Sequence, residues 1–496
     1  MRAAQLAHAL AALGVDDDQR VATFMWNNAE HLEAYLAVPA MGAVLHPLNI
    51  RLSPEQIAYI ANHAEDRVLI ADGKLVPLLS QVLPEMKTVE HLLVTSPGDL
   101  SALSDTSAQV HSYEEVLARQ PVEYCWIAGN ERAAAAMCYT SGTTGNPKAV
   151  VYSHRSIWLH SMQACMGQGF GVAERDRVLA VVPMFHALAW GLPYASLMTG
   201  ADLLMPDEFL HANRLAAFIA AERPSIAGGV PAVWTTLLDE LEANPADVSS
   251  LREVFIGGSA CPPNLIRSYQ ERHGITAIQS WGMTETSPIG SVAREPHEAG
   301  EATAWARRLS QGRFPSAVEA RLVGIDGRPL PHDGESIGEL QVRGPWVTGT
   351  YYGAGDTEQF QDGWLRTGDV GAISSDGFLT LTDRTKDVIK SGGEWISSVE
   401  LENALMEHPA VAEAVVVGVP DRRWGERPLA VVVLRAGTSA DFAELRSFLA
   451  TRFAKWQLPE WWTYLQQIPK TSVGKFDKKT LRRLHADGSI TASMAT

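Results

Sequence analysis

The chain has little cysteine: four in 496 residues, Cys125, Cys138, Cys165 and Cys261, at irregular spacings and with no CxxC pair. That excludes a disulfide framework and a zinc cluster, and a reducing cytoplasm is the compartment expected. It is also short of positive charge, with 41 Lys and Arg against 57 Asp and Glu and a formal net charge of −16. So acidic a balance repels a phosphate backbone, so no nucleic-acid partner is expected and an anionic membrane surface is disfavoured. Any phosphate that binds must meet local groups. No basic segment precedes an apolar run in the way a signal peptide requires, and there is neither an internal repeat nor a low-complexity tract. Val178 to Ala201 lacks Asp, Glu, Lys and Arg over a length that could span a bilayer. Pro183, His186, Gly191 and Pro193 break it, however, into a buried strand, a loop and a short buried helix. No transmembrane segment is expected, and the stretch reads as a pocket wall.

What is present is ordinary globular composition, 46% hydrophobic and 20% charged, on a chain long enough for two to four domains. From Arg20 onward apolar strand-like runs alternate with helical patterns, as in RVATFMW, Glu30 to Met41, AVLHPLN, Pro54 to Ala64 and RVLIAD. The rhythm resumes from AAAMCYT to TAIQSWG, with helical patterns at Arg214 to Glu222 and Pro263 to His273, and predicts one large, largely parallel buried sheet. After Arg313 short strands and Gly, Pro and Asp turns predict a β-rich subdomain. Beyond Asp383 a smaller α+β unit is expected, ending in a basic helix near Asp477 to Leu484. The fold class is therefore α/β: a large N-terminal domain of parallel or mixed sheets wrapped by helices, with a β-rich subdomain, followed by a small C-terminal α+β domain.

The densest chemical signal runs Tyr139, Thr140, Ser141, Gly142, Thr143, Thr144, Gly145, Asn146, Pro147, Lys148, directly after a strand-like run. Glycines let backbone N–H groups turn inward around phosphate oxygens, hydroxyls add donors, and Lys148 brings positive charge. The same composition also suits a flexible turn. The spacing is not GxxxxGK[ST], so an ordinary P-loop NTPase is a poor match. Five more motifs follow: Gly257-Gly258-Ser259-Ala260, then Gln279-Ser280-Trp281-Gly282-Met283-Thr284-Glu285, then GWLRTGD ending at Asp369, then Asp383-Arg384-Thr385-Lys386-Asp387, and last PKTSVGK ending at Lys475. In this order they resemble the adenylate-forming, or AMP-binding, superfamily, and among its members the medium- and long-chain fatty acyl-CoA synthetases. The resemblance enters partway, since MRAAQLAHALAALGV looks like a helix that such enzymes place several tens of residues further in. The family's first segment is expected to be missing.

The resemblance assigns roles, each beside a plainer reading of the same residue. Thr140, Ser141, Gly142, Thr143, Thr144 and Lys148 would bind the nucleotide, with Gly258, Ser259, Ala260, Gln279 and Gly282. Thr284 would meet the α-phosphate, and Glu285 would hold Mg²⁺, for which a hard carboxylate oxygen is suited; the alternative is a solvated carboxylate. Trp281 offers a flat face for adenine or is a core tryptophan. Asp369 and Arg384 would contact the ribose, against a turn residue and a surface ion-pair partner. Lys386 matches the hinge between domains 1–385 and 386–496, which makes the second domain mobile. Lys475 would stabilise charge building on the reacting carboxylate and phosphate. Its neighbours Lys470, Lys478, Lys479, Arg482 and Arg483 read as a solvated basic helix. Trp190, Gly191 and Met283 fall in the acyl pocket and His186 near its carboxylate end, against a satisfied core histidine. Ser391, Gly392, Gly393, Glu394 and Trp395 would line the path of CoA, against an ordinary glycine turn.

Together these imply an ATP-dependent ligase that activates a carboxylic acid, probed as a fatty acid by the uncharged wall, through acyl-AMP and transfers it to CoA. A cationic amino-acid substrate would demand a buried carboxylate in that wall, and none is there. The alternatives are another acyl acceptor such as a carrier protein, an inactive binding homologue, and a membrane-anchored protein. The oligomeric state is open, with a homodimer as one arrangement.

Overall fold

The computed structural model describes residues 1–495 except 97, 99, 105, 127, 141–145, 260, 325, 356–357, 385–386, 392–393 and 471–475, and gives only the backbone of 384, 390, 394 and 395. The chain divides into two compact units, Met1–Glu319 with Arg343–Leu365, and Ala320–Val342 with Arg366–Thr496.

In the first unit, strands β1 (Arg20–Phe24), β2 (Val44–Pro47), β3 (Val68–Ala71), β4 (His91–Val94), β5 (Gln109–Ser112), β6 (Ala134–Tyr139) and β7 (Ala149–Ser153) form a sheet in the order β5-β4-β3-β1-β2-β6-β7. All its pairs are parallel except β6 with β7. Both faces are buried, and parity sorts the side chains: Val21, Val68 and Ile70 enter one core with Leu6 and Tyr35, while Ala22, Phe24 and Leu69 enter the other with Ile57 and Ile60. Helices cover these faces where local signals start them. Asn28 caps Ala29–Ala40, and Ser53 with Gln56 forms a capping box ahead of Pro54–Ala64.

A second sheet holds β8 (Arg177–Ala180), β9 (Asp202–Leu204), β10 (Ile226–Gly229), β11 (Glu253–Ile256), β12 (Thr276–Gly282), β13 (Ile289–Val292) and β14 (Gly312–Arg313), in the order β14-β13-β12-β11-β10-β8-β9. It is parallel from β9 to β12 and antiparallel beyond. The single parallel sheet expected from the strand rhythm is thus two sheets. The antiparallel turn from β6 into β7 closes the first at an edge, and the next strands begin a separate ladder; alternation of strands and helices carries no mark of such a break.

Val178 to Ala201 divides into β8, a loop, a tight turn at Ala187–Gly191 and the helix Leu192–Thr199. Among the described residues no helix is long and apolar enough to cross a membrane. Cys125, Cys138, Cys165 and Cys261 are all unbridged.

In the second unit, β15 (Glu319–Val323), β16 (Pro329–Leu330), β17 (Gly338–Arg343), β19 (Trp364–Ile373) and β20 (Phe378–Arg384) lie in the order β16-β15-β17-β19-β20, and β18 (Phe360–Gln361) pairs with the start of β19 in the first unit. Further on, β21 (Ile389–Ser391), β22 (Glu394–Ile396), β23 (Val411–Asp421), β24 (Gly425–Leu434), β25 (Trp461–Tyr464) and β26 (Ser493–Met494) form another sheet. Its central hairpin, β23 with β24, again sorts by parity, Ala414 and Val416 to one core and Val415, Val417 and Val419 to the other. The basic helix, Lys478–Ala486, is capped by Asp477. Its reading as fully solvated is corrected at Lys478, whose ammonium is buried against Glu402 at 2.7 Å and donates to Ser398 Oγ at 2.6 Å. Burial opposes both charges; Glu402 is pushed up to about 7 and its carboxylate raises the lysine. Arg482 pairs with Asp387, and Lys470 with Glu413.

Candidate functional site

The hydroxyl-rich segment joins β6 to β7, so its ends are fixed by a hairpin. Tyr139 faces Ala149 across it, Thr140 N donates to Lys148 O at 2.8 Å, and Lys148 N donates to Thr140 Oγ1 at 3.4 Å. Thr140 is half-buried and Lys148 exposed. The Lys148 ammonium donates to Gln359 Oε1 at 2.8 Å and stands 4.8 Å from the Tyr351 ring centroid. The Tyr351 hydroxyl in turn donates to Glu285 Oε1 at 2.6 Å. Burial and that carboxylate raise the Tyr351 phenol well above its ordinary range, so it stays a donor.

Glu285 is 5% exposed, which removes the solvated-carboxylate reading. It lies in the turn after β12, pinned through its carbonyl by Thr348 N at 2.8 Å, and the Thr284 carbonyl accepts from Tyr152 OH at 2.8 Å. Lys148 and Glu285, far apart in sequence, are therefore linked through Tyr351, while Thr284, next to Glu285, is tied to β7 through Tyr152.

The uncharged turn Ala187–Gly191 is buried throughout. Ala187, Leu188, Ala189, Trp190 and Gly191 all have positive φ, from 38° to 74°, making one left-handed turn. Trp190 is 6% exposed. Its ring lies on glycines: a Cβ at Gly257 would sit 3.3 Å from it and one at Gly228 3.5 Å. Gly191 lies against His160, whose ring would be 2.6 Å from an added Cβ. His160 is fully buried, accepts from Ile289 N at 3.1 Å, and is pushed down to about 3 by burial, so it is neutral. His186 is half-buried just before the turn, its N–H on Pro183 O at 2.9 Å.

Other expected residues fall as follows. Trp281 is buried beside Phe314, its ring close over Gly290, where a Cβ would come within 2.2 Å. Gly258, at φ 85°, and Ser259 are exposed at the end of β11, while Met283 and Gly282 are half-buried. Gln279 is not gathered with the others, because its amide donates to the carbonyls of Arg308 and Leu309. In the second unit Asp369 and Arg384 are direct partners across β19 and β20, and Asp369 is buried. Ser391 is buried and accepts from Arg427 at 3.0 Å. Ser141, Gly142, Thr143, Thr144, Ala260, Lys386, Gly392, Gly393 and Lys475 lie outside the described residues, as do the side chains of Arg384, Glu394 and Trp395.

The fold is α/β, and its described residues join Lys148, Tyr351 and Glu285 in one cluster and bury the uncharged turn Ala187–Gly191. Residues 1–352 match the AMP-binding enzyme family and residues 400–475 the AMP-binding enzyme C-terminal domain. The chain is 44% identical over 488 residues to the 3-methylmercaptopropionyl-CoA ligase of Ruegeria pomeroyi, covering 98% of this chain and 90% of that one. It is 45% identical over 490 residues to the long-chain-fatty-acid–CoA ligase of Thermus thermophilus, covering 97% and 88%. A solved anthranilate CoA ligase holding anthranoyl-AMP superposes with a TM-score of 0.87 at 26% identity, covering 98% and 91%. The chain belongs to the AMP-binding enzyme family, as its six motifs indicate.

Proposed function

We propose that the protein joins a medium- or long-chain fatty acid to CoA by way of an acyl-adenylate. The chain is an AMP-forming acid–CoA ligase, a level supported by the family match and by full-length relatives that are CoA ligases; the fatty nature of the acid is the finer reading. The observation that carries it is that one strand serves both ends of the site. Ser280 on β12 packs on Gly257, which touches Trp190, and the turn after β12 presents Thr284 and Glu285 to Tyr152 and Tyr351. An anionic nucleotide at one end and an uncharged tail at the other suit that polarity.

In this reading Thr140, Lys148 and the loop at 141–145 hold the phosphates, with Gly258, Ser259, Ala260 and Gly282 beside them. Trp281 faces the adenine, and Asp369 with Arg384 the ribose. Gln279 enters only through its backbone, since its amide is committed elsewhere. Glu285 fits a magnesium ion as a buried carboxylate with a hydroxyl partner, because Mg²⁺ bound with a nucleotide needs one or two carboxylates and keeps several waters. The ion would neutralise phosphate charge. Thr284 and Lys475 stabilise charge on the α-phosphate and the attacking carboxylate, and His186 orients that carboxylate. Lys386 is the hinge between domains 1–385 and 386–496, a boundary set by rotation rather than compactness, and Ser391 to Trp395 line the CoA path. Trp190, Gly191 and Met283 bound the tail. A homodimer draws no support and forms no part of the reading.

The test is incubation with ATP, Mg²⁺, CoA and a series of acids, from butyrate to palmitate with 3-methylmercaptopropionate and anthranilate, following AMP and acyl-CoA by mass spectrometry. The expected result is AMP and acyl-CoA in equal amounts with the highest kcat/KM between eight and sixteen carbons, roughly the span over which each added CH₂ gains about 0.8 kcal/mol of burial. A maximum at 3-methylmercaptopropionate would overturn the fatty-acid reading and leave the ligase; acyl-AMP without acyl-CoA would overturn CoA as acceptor.

A further inference from the structure

The neck of the anion loop is held from beneath by groups that none of the roles above uses. The Tyr139 hydroxyl lies 2.7 Å from His63 Nδ1. Burial and the charge of Asp66 raise the phenol well above its ordinary range, so the hydroxyl keeps its proton and donates to the ring nitrogen. His63 is stacked on Tyr59 at 5.5 Å and edge-on to Tyr352 at 5.7 Å, and Tyr352 N donates to Ala149 O at 2.9 Å. The His63 ring is thus gripped on two sides, and the strand following the loop is tied to the same cluster.

A second layer lies behind Tyr139. The His46 ring on β2 is 5.1 Å from the tyrosine ring, and its Nδ1 donates to Asp66 at 2.8 Å, both side chains having no exposure. His63, Glu65 and Asp66 all come from the end of the helix Pro54–Ala64. Glu65 closes it in a left-handed conformation, φ 58°, and pairs with Arg20 at 2.8 Å. One short stretch, His63 to Asp66, therefore delivers a histidine to Tyr139, a carboxylate to Arg20 and a carboxylate to His46. Because Thr140 N bonds Lys148 O, whatever fixes Tyr139 fixes both residues at the mouth of the loop.

We propose that His63 is a positioning residue for nucleotide binding: by accepting the Tyr139 hydrogen bond it holds the neck of the loop, so that Thr140 and Lys148 stand ready for phosphate oxygens. The His46–Asp66 pair backs the ring from the other side. This rests on the reading of Thr140 and Lys148 as phosphate ligands. A site held in shape before its ligand arrives avoids the ordering cost on binding, so loss of the brace falls on ATP and leaves the acid and CoA alone.

The experiment measures KM for ATP, acid and CoA, kcat and the melting temperature for His63→Leu, Tyr139→Phe, the double variant and His63→Asn, whose Oδ1 stands where Nδ1 stood. Each single variant is expected to raise the ATP KM about fivefold, the loss of one hydrogen bond, with kcat and the other KM values within about twofold. The double variant should be no worse than either single, and His63→Asn should return the ATP KM to within about twofold of the parent. An unchanged ATP KM, or a fall in melting temperature with all parameters moving together and no recovery in His63→Asn, would overturn the proposal. Should His63→Leu fail to fold, Tyr139→Phe, which loses one oxygen, decides. Lys148→Ala in the same assay separates the two readings. If it leaves the ATP KM unchanged, the phosphate role falls and the brace with it; if it raises the KM while Tyr139→Phe does not, only the brace falls.

Discussion

Glu285 is a carboxylate removed from water, and a buried charge is costly unless partners receive it. Tyr351 is one such partner, and the same ring lies beneath the Lys148 ammonium, so a single side chain touches both charged residues. Tyr351→Phe keeps the ring and removes the donor. It is expected to slow adenylation about tenfold, in line with one hydrogen bond to a charged group, and to raise the Mg²⁺ concentration needed for half-maximal rate. Tyr351→Leu, which also loses the face under Lys148, should be slower still. Pyrophosphate exchange measured across a Mg²⁺ series reads both effects, and rates equal to the parent for both variants would remove Tyr351 from the site. Lys148 and Glu285 could be proposed from the sequence because each ends a motif. Tyr351 could not: it stands in Gly349-Thr350-Tyr351-Tyr352-Gly353, outside any motif, and reaches Glu285 across 66 residues only through the fold. His63 and Gln359 were hidden for the same reason. A partner supplied by tertiary contact leaves no local spacing to read.

At the scale of an element, the left-handed turn Ala187–Gly191 places four L side chains where each costs roughly 1–2 kcal/mol of backbone strain. Packing holds it: Trp190 fills the space left by Gly228 and Gly257, and Gly191 meets His160. Gly191→Ala adds a left-handed alanine and drives its Cβ to 2.6 Å from the His160 ring. The expected loss is about 2–4 kcal/mol, backbone strain plus overpacking, read as a lower urea midpoint for the first unit. Gly200→Ala is the control, with a similar φ of 77° but its nearest neighbour at 3.7 Å, and it should lose only the backbone part. Equal losses would show that the His160 contact is unimportant. Elements with their own punctuation were readable from sequence: Pro54–Ala64 starts at a capping box, and Pro263–His273 ends at the left-handed Gly274. The turn at 187–191 has no such mark, because nothing in Ala-Leu-Ala-Trp favours positive φ and only the surrounding glycines admit it. Lys478 was misread for a related reason. A basic run at helical spacing looks solvated until the fold supplies Glu402.

For the first unit as a whole, one component of the response to acid comes from histidines that the fold keeps neutral. His31 is fully buried, with Nδ1–H donating to Trp26 O at 2.9 Å and Nε2 accepting from Thr23 Oγ1 at 2.8 Å, and burial lowers it from 6.5 to about 4. His160 is lowered by burial to about 3. Both folded values lie below the unfolded one, so as pH falls through 6.5 the unfolded chain takes up protons that the folded chain refuses. The histidine contribution is therefore intact above pH 6.5, declines below it, and levels off near pH 4 for His31 and near pH 3 for His160, once each folded residue also protonates. Each histidine contributes a slope of up to about 1.4 kcal/mol per pH unit in that window. The acidic chain supplies a background of opposite sign, since its net charge of −16 shrinks over the same range and self-repulsion with it. The histidine component is isolated by comparing slopes. Urea unfolding of the parent and of His31→Gln, at half-unit steps from pH 7.5 to 5.0, should show the variant less stable at pH 7.5 but with a slope below 6.5 shallower by about 1 kcal/mol per unit. Parallel slopes would mean that His31 is protonated in the folded protein, against the two hydrogen bonds that fix its neutral tautomer.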